Sequence, residues 1–345
     1  MKRQLLGVAA ILLSISTYAQ DNPLWMRYCA ISPDGTTIAF TYKGDIYTVP
    51  STGGRASQIT TNPAHDTKPI WSTDGKKIAF ASDRMGSMDI FEVNKEGGIP
   101  KRLTTHSGNE TPVAYKDAGH ILFLANIMPT AEDAQFPSGQ FQQVYEVNTE
   151  GGRPALFSSM PMEDISINHT GNTLLYHDKK GYEDPWRKHH TSSITRDIWL
   201  CSLNGNRTFR KQTAFNGEDR TPVWASDDKS FYYLSEEKGS FNIFKRDIDG
   251  NTSKQITNHT KHPVRFLSAA SNGTLCYGYD GEIYTVKEGA IPQKVQISIV
   301  TDKNDKDLIR QIKRSGATEI SLSPDAKEIA FVLRGDVYVT STEYS

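Results

Sequence analysis

The chain has 345 residues, of which 37% are hydrophobic and 23% are charged, a composition typical of a globular rather than a disordered protein. Its 39 Lys and Arg residues balance 40 Asp and Glu residues, so the formal net charge is −1, whereas a dedicated nucleic-acid or anionic-membrane binder usually carries a basic excess. The 26 Gly, 16 Pro, 14 Phe, 15 Tyr and 5 Trp residues favour short strands joined by tight turns over a helical bundle.

The N-terminus has the features of an export signal. Lys2 and Arg3 precede a short apolar core, and Thr17 and Ala19 occupy the −3 and −1 positions of a cleavage site. The core is far shorter than the roughly 20 residues of a membrane span. We therefore predict a signal peptide at residues 1–19, a periplasmic or secreted location of Gram-negative type, and no membrane span.

A repeated pattern follows the leader. Each copy has an apolar residue, a Pro/Asp/Gly turn, an apolar run, a loop, and an acidic or amide residue before a β-branched–aromatic pair. The clearest copy comprises residues 31–35, 38–40 and 45–47. Further turns of this pattern lie at residues 71–75, 115–119, 167–171, 224–228, 268–273 and 322–326.

Each copy is interpreted as a propeller blade. Alternation of apolar and polar residues predicts half-buried antiparallel strands, and a fourth strand is expected at residues 57–60, 101–104, 211–213 and 254–257. Four antiparallel strands in ~40–50 residues are typical of a blade. The fold class is therefore all-β, with a six-bladed β-propeller at residues 20–300 and the first strands of a second propeller after it.

The boundary between these units comes from the spacing. From the aromatic residue of the third strand to the next turn the interval is 26–29 residues, except between Tyr284 and Ala326, where it is 42. The excess contains a charged stretch, residues 301–316, which is predicted to be a linker before a second, truncated propeller at residues 317–345. One seven-bladed ring, completed by residues 22–27, is the alternative.

Copies three and four carry insertions between their second and third strands, at residues 126–142 and 177–196. Adjacent blades present this loop on the same face, so we predict that the two insertions lie side by side. They could pack on each other or on further domains, or their aromatic and basic side chains could hold a peptide carboxylate. The candidate residues for contact with a peptide or a domain are Phe136, Phe141, Tyr182, Trp186, Arg187, Lys188, His189, His190 and Arg196.

The repeats carry a family resemblance. Ile31-Ser-Pro-Asp-Gly35 is similar to TolB-type propeller repeats. Together with the insertion at residues 181–199, the linker and the fresh repeat at residues 322–325, it resembles the N-terminal third of exported tricorn-type serine peptidases. The resemblance implies partners beyond residue 345: a second seven-bladed propeller, a PDZ domain and a tail-specific-type catalytic domain of the same protein.

The resemblance also implies basic residues that anchor the carboxyl terminus of a peptide substrate. The blade-three insertion has no Lys or Arg, so Arg187, Lys188 or Arg196 would have to replace them. Peptides are the expected ligands, and the full-length form could assemble as a homo-oligomer.

Motifs for catalysis and metal binding are missing from the sequence. No Ser has Gly at both the −2 and +2 positions, and none of the 9 His precedes Glu, so neither a nucleophile elbow nor a zinc helix is present. The three cysteines lie in strand-like contexts and are expected to be buried. We predict no catalytic residue, no metal and no cofactor, and turn carboxylates such as Asp34, Asp74 and Asp325 are expected to bond their own backbone.

The favoured function is that of a non-catalytic propeller in a periplasmic tricorn-like serine peptidase, serving gating, peptide binding and domain scaffolding. The chain itself would lack peptidase activity, while the parent protein would be a serine endopeptidase. Two alternatives stay open: a stand-alone TolB-like interaction module of the cell envelope, and a propeller enzyme with a site in its channel. The inner strands beginning at Tyr28, Lys68 and Thr221 are interpreted as packing.

Overall fold

The computed structural model of the chain describes residues 23–127, 141–182, 191–300 and 315–343. They form 29 β-strands, most of which belong to six four-stranded antiparallel sheets, blades 1 to 6. Blade 1 contains β1 (Arg27–Ile31), β2 (Thr37–Tyr42), β3 (Asp45–Pro50) and β5 (Ser57–Gln58). Blade 2 contains β6 (Asp66–Trp71), β7 (Lys77–Ser82), β8 (Asp89–Asn94) and β9 (Lys101–Arg102). Blade 3 contains β10 (Thr111–Asp117), β11 (His120–Ala125), β12 (Gln143–Asn148) and β13 (Ala155–Ser158).

Blades 4 to 6 repeat this order of strands. Blade 4 contains β14 (Met162–Ile167), β15 (Thr173–Asp178), β16 (Ile198–Ser202) and β17 (Thr208–Lys211). Blade 5 contains β18 (Asp219–Trp224), β19 (Ser230–Ser235), β20 (Asn242–Asp247) and β21 (Ser253–Gln255). Blade 6 contains β22 (Arg265–Ala269), β23 (Leu275–Tyr279), β24 (Glu282–Val286) and β25 (Gln293–Lys294). In every blade the four strands are consecutive neighbours, with the first strand innermost.

The inner strands close a ring of six. Each of β1, β6, β10, β14, β18 and β22 packs against the next, and β22 packs against β1. Met26 donates its backbone N–H to the carbonyl of Gly281 in blade 6 at 3.1 Å, and Arg27 already starts blade 1. The six-bladed prediction is therefore confirmed, and the seven-bladed alternative is wrong.

A short parallel pair fastens the end of the ring to its beginning. Beyond blade 6, β26 (Ile297–Ser298) pairs with β4 (Gly54–Arg55) of blade 1. Gly54 donates its N–H to the carbonyl of Gln296 at 2.8 Å. Gly53 precedes this contact with φ +92°, and a Cβ there would lie 2.6 Å from the same carbonyl oxygen, so the close approach of the two chains requires glycine.

Local hydrogen bonds explain the repeated turn. Ser32 Oγ donates to Asp34 Oδ1 at 2.6 Å, and the same oxygen accepts the N–H of Thr36 at 3.0 Å. Ser72 and Asp74 repeat the arrangement at 2.7 Å. These bonds, the serine hydroxyl first, lower the pKa of both carboxyls. The turn carboxylates thus bond their own turn, as expected.

The outer strands end earlier than predicted, because the threonine at the end of each motif bonds to the third strand of its blade. Thr60 and Thr104 lie beyond β5 and β9, and their hydroxyls accept the N–H of Ile46 and Ile90, both at 2.9 Å. Thr213 and Thr257 do the same for Ile198 at 3.0 Å and Ile243 at 2.9 Å. The threonine therefore pins the start of the third strand to the outer edge of its blade.

A separate three-stranded sheet follows, formed by β27 (Ala317–Leu322), β28 (Glu328–Leu333) and β29 (Asp336–Ser341). Its Phe331 and Tyr338 rings stack at 5.6 Å, like Phe40 and Tyr47 of blade 1 at 5.8 Å. Several of its large apolar side chains are exposed, among them Ile320 at 70%. The three strands follow the order of the first three strands of a blade, and the start of a second propeller here stays a prediction.

The hydrophobic core lies mainly between neighbouring blades, where second and third strands supply buried aliphatic and aromatic side chains. Cys29, Cys201 and Cys276 are buried and free, as expected. The described residues contain no helix with the length and apolar character needed to cross a membrane. The predicted leader at residues 1–19 and all but the last two residues of the predicted linker lie outside the described residues, so both stay predictions.

Candidate functional site in the propeller channel

A cavity of about 540 Å³ lies where the inner strands of all six blades meet, and we call it the channel cavity. Gln142 and Tyr182, at the described ends of the two insertions, both line it. The two insertions therefore border the same opening, in keeping with the expectation that they share one face. Tyr182 is 93% exposed, so its ring stands at the mouth rather than in the packed wall.

The inner strands are bulged where they face the cavity. Five of them contain a non-glycine residue with φ between 48° and 56° next to a break in the strand register. A bulge turns a side chain away from the regular alternation, and the left-handed backbone is unfavourable for residues other than glycine. All five line the channel cavity: Tyr28, Lys68, Asp164, Thr221 and Phe266.

Glu163 is the centre of a charged network on the blade 4 side of the cavity. Its Oε1 accepts a hydrogen bond from Lys179 Nζ at 2.7 Å, and its Oε2 lies 3.3 Å from His177 Nε2 and 3.6 Å from Arg196 Nε. Burial raises the pKa of this carboxyl, but the hydrogen bonds from His177 and Lys179, together with the charge of Lys179, outweigh burial and hold the pKa well below its usual range. Glu163 is therefore ionised and compensated inside the wall.

Arg196 connects this network to blade 5. Its Nη1 lies 2.6 Å from Glu218 Oε1, and only 5% of its side chain is exposed. Burial lowers the pKa of Arg196, but the carboxylates of Glu218 and Glu163 overcome this effect and raise it. Arg220 lies 3.6 Å from the same Glu218 oxygen and places its guanidinium 4.1 Å from the centre of the Phe241 ring.

The orientation of His177 is set by a backbone donor. Thr221 donates its N–H to His177 Nδ1 at 3.3 Å, so the ring proton lies on Nε2, facing Glu163. The Thr221 hydroxyl donates to Asp164 Oδ2 at 2.6 Å. His177 Nδ1 is thus occupied by a backbone N–H and cannot take the hydroxyl proton, so these described residues do not form a nucleophile–base pair.

The side formed by blades 1, 2 and 6 has a different chemistry. The rings of Tyr28 and Phe266 contact each other at a centroid distance of 4.8 Å, and Lys68 Nζ lies 5.8 Å from the centre of the Tyr28 ring. Among the described residues no carboxylate oxygen lies within 4 Å of Lys68 Nζ.

The predicted site residues are distributed unevenly. Tyr182 lies at the mouth, Phe141 is half-buried just before β12, and Arg196 is buried in the network described above. Phe136, Trp186, Arg187, Lys188, His189 and His190 lie outside the described residues. The predicted start of the second insertion is wrong by two residues: His177 and Asp178 belong to β15, because they continue its pairing with Ile198 of β16 and Met162 of β14.

The channel residues were missed because their strands alternate like ordinary packing strands. Prolines could have indicated the bulges, since Pro cannot donate to a strand ladder and within a strand marks an edge or a bulge. Lys68 and Thr221 directly precede Pro69 and Pro222, and in both strands the register breaks across the Pro.

The sequence of the chain is similar to the N-terminal part of tricorn proteases. Residues 23–290 match the family model described as the tricorn protease N-terminal beta propeller domain. Tricorn protease homolog 1 of Streptomyces coelicolor is 25% identical over 281 residues, covering 80% of this chain and 25% of the relative. The tricorn protease of Thermoplasma acidophilum is 24% identical over 334 residues, covering 92% and 29%.

A solved structure gives the same picture at the level of the fold. A crystal structure of the tricorn protease aligns with a TM-score of 0.68 and 21% identity, covering 92% of this chain and 30% of that chain. The chain spans about a quarter of the length of these curated relatives.

Proposed function

The chain belongs to the tricorn protease N-terminal β-propeller family, and from that premise we propose that it is the non-catalytic propeller of a larger periplasmic serine peptidase. Its channel and insertions would handle the peptides that pass to or from a catalytic domain elsewhere in the protein. The family match over residues 23–290 carries this proposal. The export signal predicted at residues 1–19 supports the location, and the relatives' greater length supports the further domains.

The chemistry of the channel cavity supports a non-catalytic role. The Thr221 hydroxyl already donates to Asp164, and His177 faces a carboxylate on one side and a backbone N–H on the other. Hydrolysis needs an activated nucleophile with an adjacent base, and this part of the described channel does not supply one. Another domain of the parent protein would provide it, and the propeller would bind, orient and sort peptides.

The role of the second insertion can be refined from Arg196. Its guanidinium contacts Glu218 and lies near Glu163, so it stabilises the channel wall between blades 4 and 5. Arg187 or Lys188 of the same insertion would therefore be the residue that contacts a peptide carboxylate. The neighbouring propeller, the PDZ domain and the catalytic domain, and a homo-oligomeric full-length form, are further parts of this proposal.

The test compares the purified chain with the full-length protein on an unstructured peptide substrate. The full-length protein should hydrolyse the peptide and lose this activity to a serine-directed covalent inhibitor, whereas the chain by itself should be inactive. The chain should still bind the peptide in a direct binding measurement. Hydrolysis by the isolated chain that the inhibitor abolishes would overturn the proposal, and so would a chain that binds no peptide.

A further inference from the structure

We propose that the channel cavity contains a subsite for acidic side chains of peptides, formed by Lys68 with the rings of Tyr28 and Phe266. This inference rests on the proposed function, since it names the class of peptide that the channel holds. It is carried by three observations: the backbone of the inner strands, the charge balance of the cavity and the aromatic contacts of Lys68.

The residues that place their side chains in the channel have an unfavourable, left-handed backbone conformation. Lys68 adopts φ 53°, and Tyr28 and Phe266 adopt 51° and 56° at the corresponding bulges of blades 1 and 6. A left-handed backbone is unfavourable for a residue other than glycine, and such outliers often mark binding sites. Glycine would relieve this strain but would leave the cavity without these three side chains, so their presence indicates a use for them.

Its charge surroundings distinguish Lys68 from Lys179 and Arg196, two other basic residues that line the cavity. Lys179 contacts Glu163, and Arg196 contacts Glu218, so the charges on the blade 4 and blade 5 side are compensated within the wall. No described carboxylate lies within 4 Å of the Lys68 ammonium. An anionic group that entered the channel would therefore meet an available positive charge at Lys68.

The aromatic contacts determine the shape of the subsite. The Lys68 ammonium lies 5.8 Å from the centre of the Tyr28 ring, which holds it by a cation–π contact. Phe266 extends the apolar surface beside Tyr28. A glutamate side chain fits this combination, because its methylene groups can pack on the rings while its carboxylate accepts a charge-assisted hydrogen bond from Lys68.

The position along the strand favours a side chain over a chain terminus. Lys68 is the third of the six residues of β6, so it lies along the wall of the channel rather than at either end. A peptide threaded along the propeller axis presents its side chains to such a wall. The proposed ligand is therefore a peptide rich in Glu or Asp, independent of a free terminus.

The experiment measures binding of two fluorescently labelled peptides with blocked termini, tetraglutamate and tetraglutamine, to the purified chain at low salt. The wild-type chain should bind tetraglutamate about tenfold more tightly, the effect of one charge-assisted hydrogen bond. Lys68→Met should abolish the preference, and Lys68→Arg should largely retain it. High salt should weaken the binding of tetraglutamate and leave that of tetraglutamine unchanged.

Lys43 provides a matched control. It also adopts a left-handed backbone, with φ 51°, and its ammonium lies 5.6 Å from the centre of the Tyr42 ring, but it does not line the cavity. Lys43→Met should leave the preference unchanged. An equal loss in Lys43→Met and Lys68→Met would overturn the subsite.

The remaining outcomes separate this inference from the proposed function. Equal binding of both peptides by the wild-type chain would refute the acidic subsite and leave peptide handling intact. Binding of neither peptide would contradict both. If circular dichroism shows that Lys68→Met is unfolded, the wild-type preference, its salt dependence and Lys68→Arg decide the question.

Discussion

Arg196 of blade 4 and Glu218 of blade 5 form an ion pair at 2.6 Å in which the side chains are only 5% and 1% exposed. The pair crosses the junction between two blades beside the channel cavity. Removal of one partner from a buried pair leaves the other charge desolvated, which costs about 3–5 kcal/mol. The two blades therefore depend on each other at this point.

Arg196→Met should lower the free energy of unfolding by about 3 kcal/mol, because the buried Glu218 carboxylate loses a cation that lies 2.6 Å away. Urea unfolding followed by circular dichroism measures the change. Lys101→Met is the matched control, since Lys101 forms a pair with Glu150 at 2.8 Å on the exposed surface, where solvent screens the charges and such pairs contribute little to stability. Equal effects of the two substitutions would show that the Arg196 pair does not join the blades.

Three blade junctions bring carboxyl groups together by the same backbone bond. Asp66 donates its N–H to the carbonyl of Gly44 at 2.7 Å, Glu110 to that of Met88 at 2.7 Å, and Asp219 to that of Arg196 at 3.0 Å. Each of these carbonyls directly precedes an acidic residue of the previous blade. The residue pairs are Asp45 with Asp66, Asp89 with Glu110, and Asp197 with Asp219.

Burial, with a smaller contribution from the neighbouring carboxylate, raises the pKa of Asp45, Glu110 and Asp219 to about 7. The folded protein then binds protons that the unfolded chain releases above pH ~4. The stabilisation from these groups is fully present below pH ~4 and is lost as the pH rises through about 7. We expect the free energy of unfolding to fall between mildly acidic and mildly alkaline pH.

Glu110→Gln should remove its part of this dependence, about 2 kcal/mol between pH ~5 and ~8. Urea unfolding at several pH values provides the measurement, and Glu150→Gln on the exposed surface is the control. A pH dependence of stability identical to that of the wild type in Glu110→Gln would mean that this carboxyl is already ionised in the folded protein.

The second insertion should matter for binding rather than for stability. Arg187→Ala combined with Lys188→Ala should weaken binding of a peptide with a free carboxyl terminus about tenfold, the effect of one charge-assisted hydrogen bond. Lys238→Ala, in the corresponding loop of blade 5, is the control. Unchanged peptide affinity in the double variant, measured by fluorescence anisotropy, would favour packing as the role of the insertion.

Limited proteolysis should locate the end of the six-bladed unit. The pairing of β26 with β4 holds the chain through Ser298, and exposed segments outside the blades are cut first. We expect the first cleavage within residues 301–316 and a stable product of residues ~20–300, identified by mass spectrometry. Cleavage between blades at a similar rate would contradict this boundary.

The blades were predictable because their determinants are local. The turn at Ser32 and Asp34, the alternation of Ile38 and Phe40, and the recurrence of Asp45 before the third strand all act within one copy of the repeat. Hydrogen bonds across two to five residues, and antiparallel neighbours joined by short turns, do not depend on how the ring closes. The number and order of strands therefore follow from the residues of each copy.

The channel depended on the tertiary structure. Lys68 faces the cavity only because a bulge turns it out of the strand alternation, and Tyr28 and Phe266 meet only because blade 6 closes onto blade 1. Arg196 has a predictable position in sequence, but its burial against Glu218 requires that blade 5 pack on blade 4. The repeat thus determined the architecture, whereas closure of the ring decided which side chains meet, because the contacts of the channel join different blades.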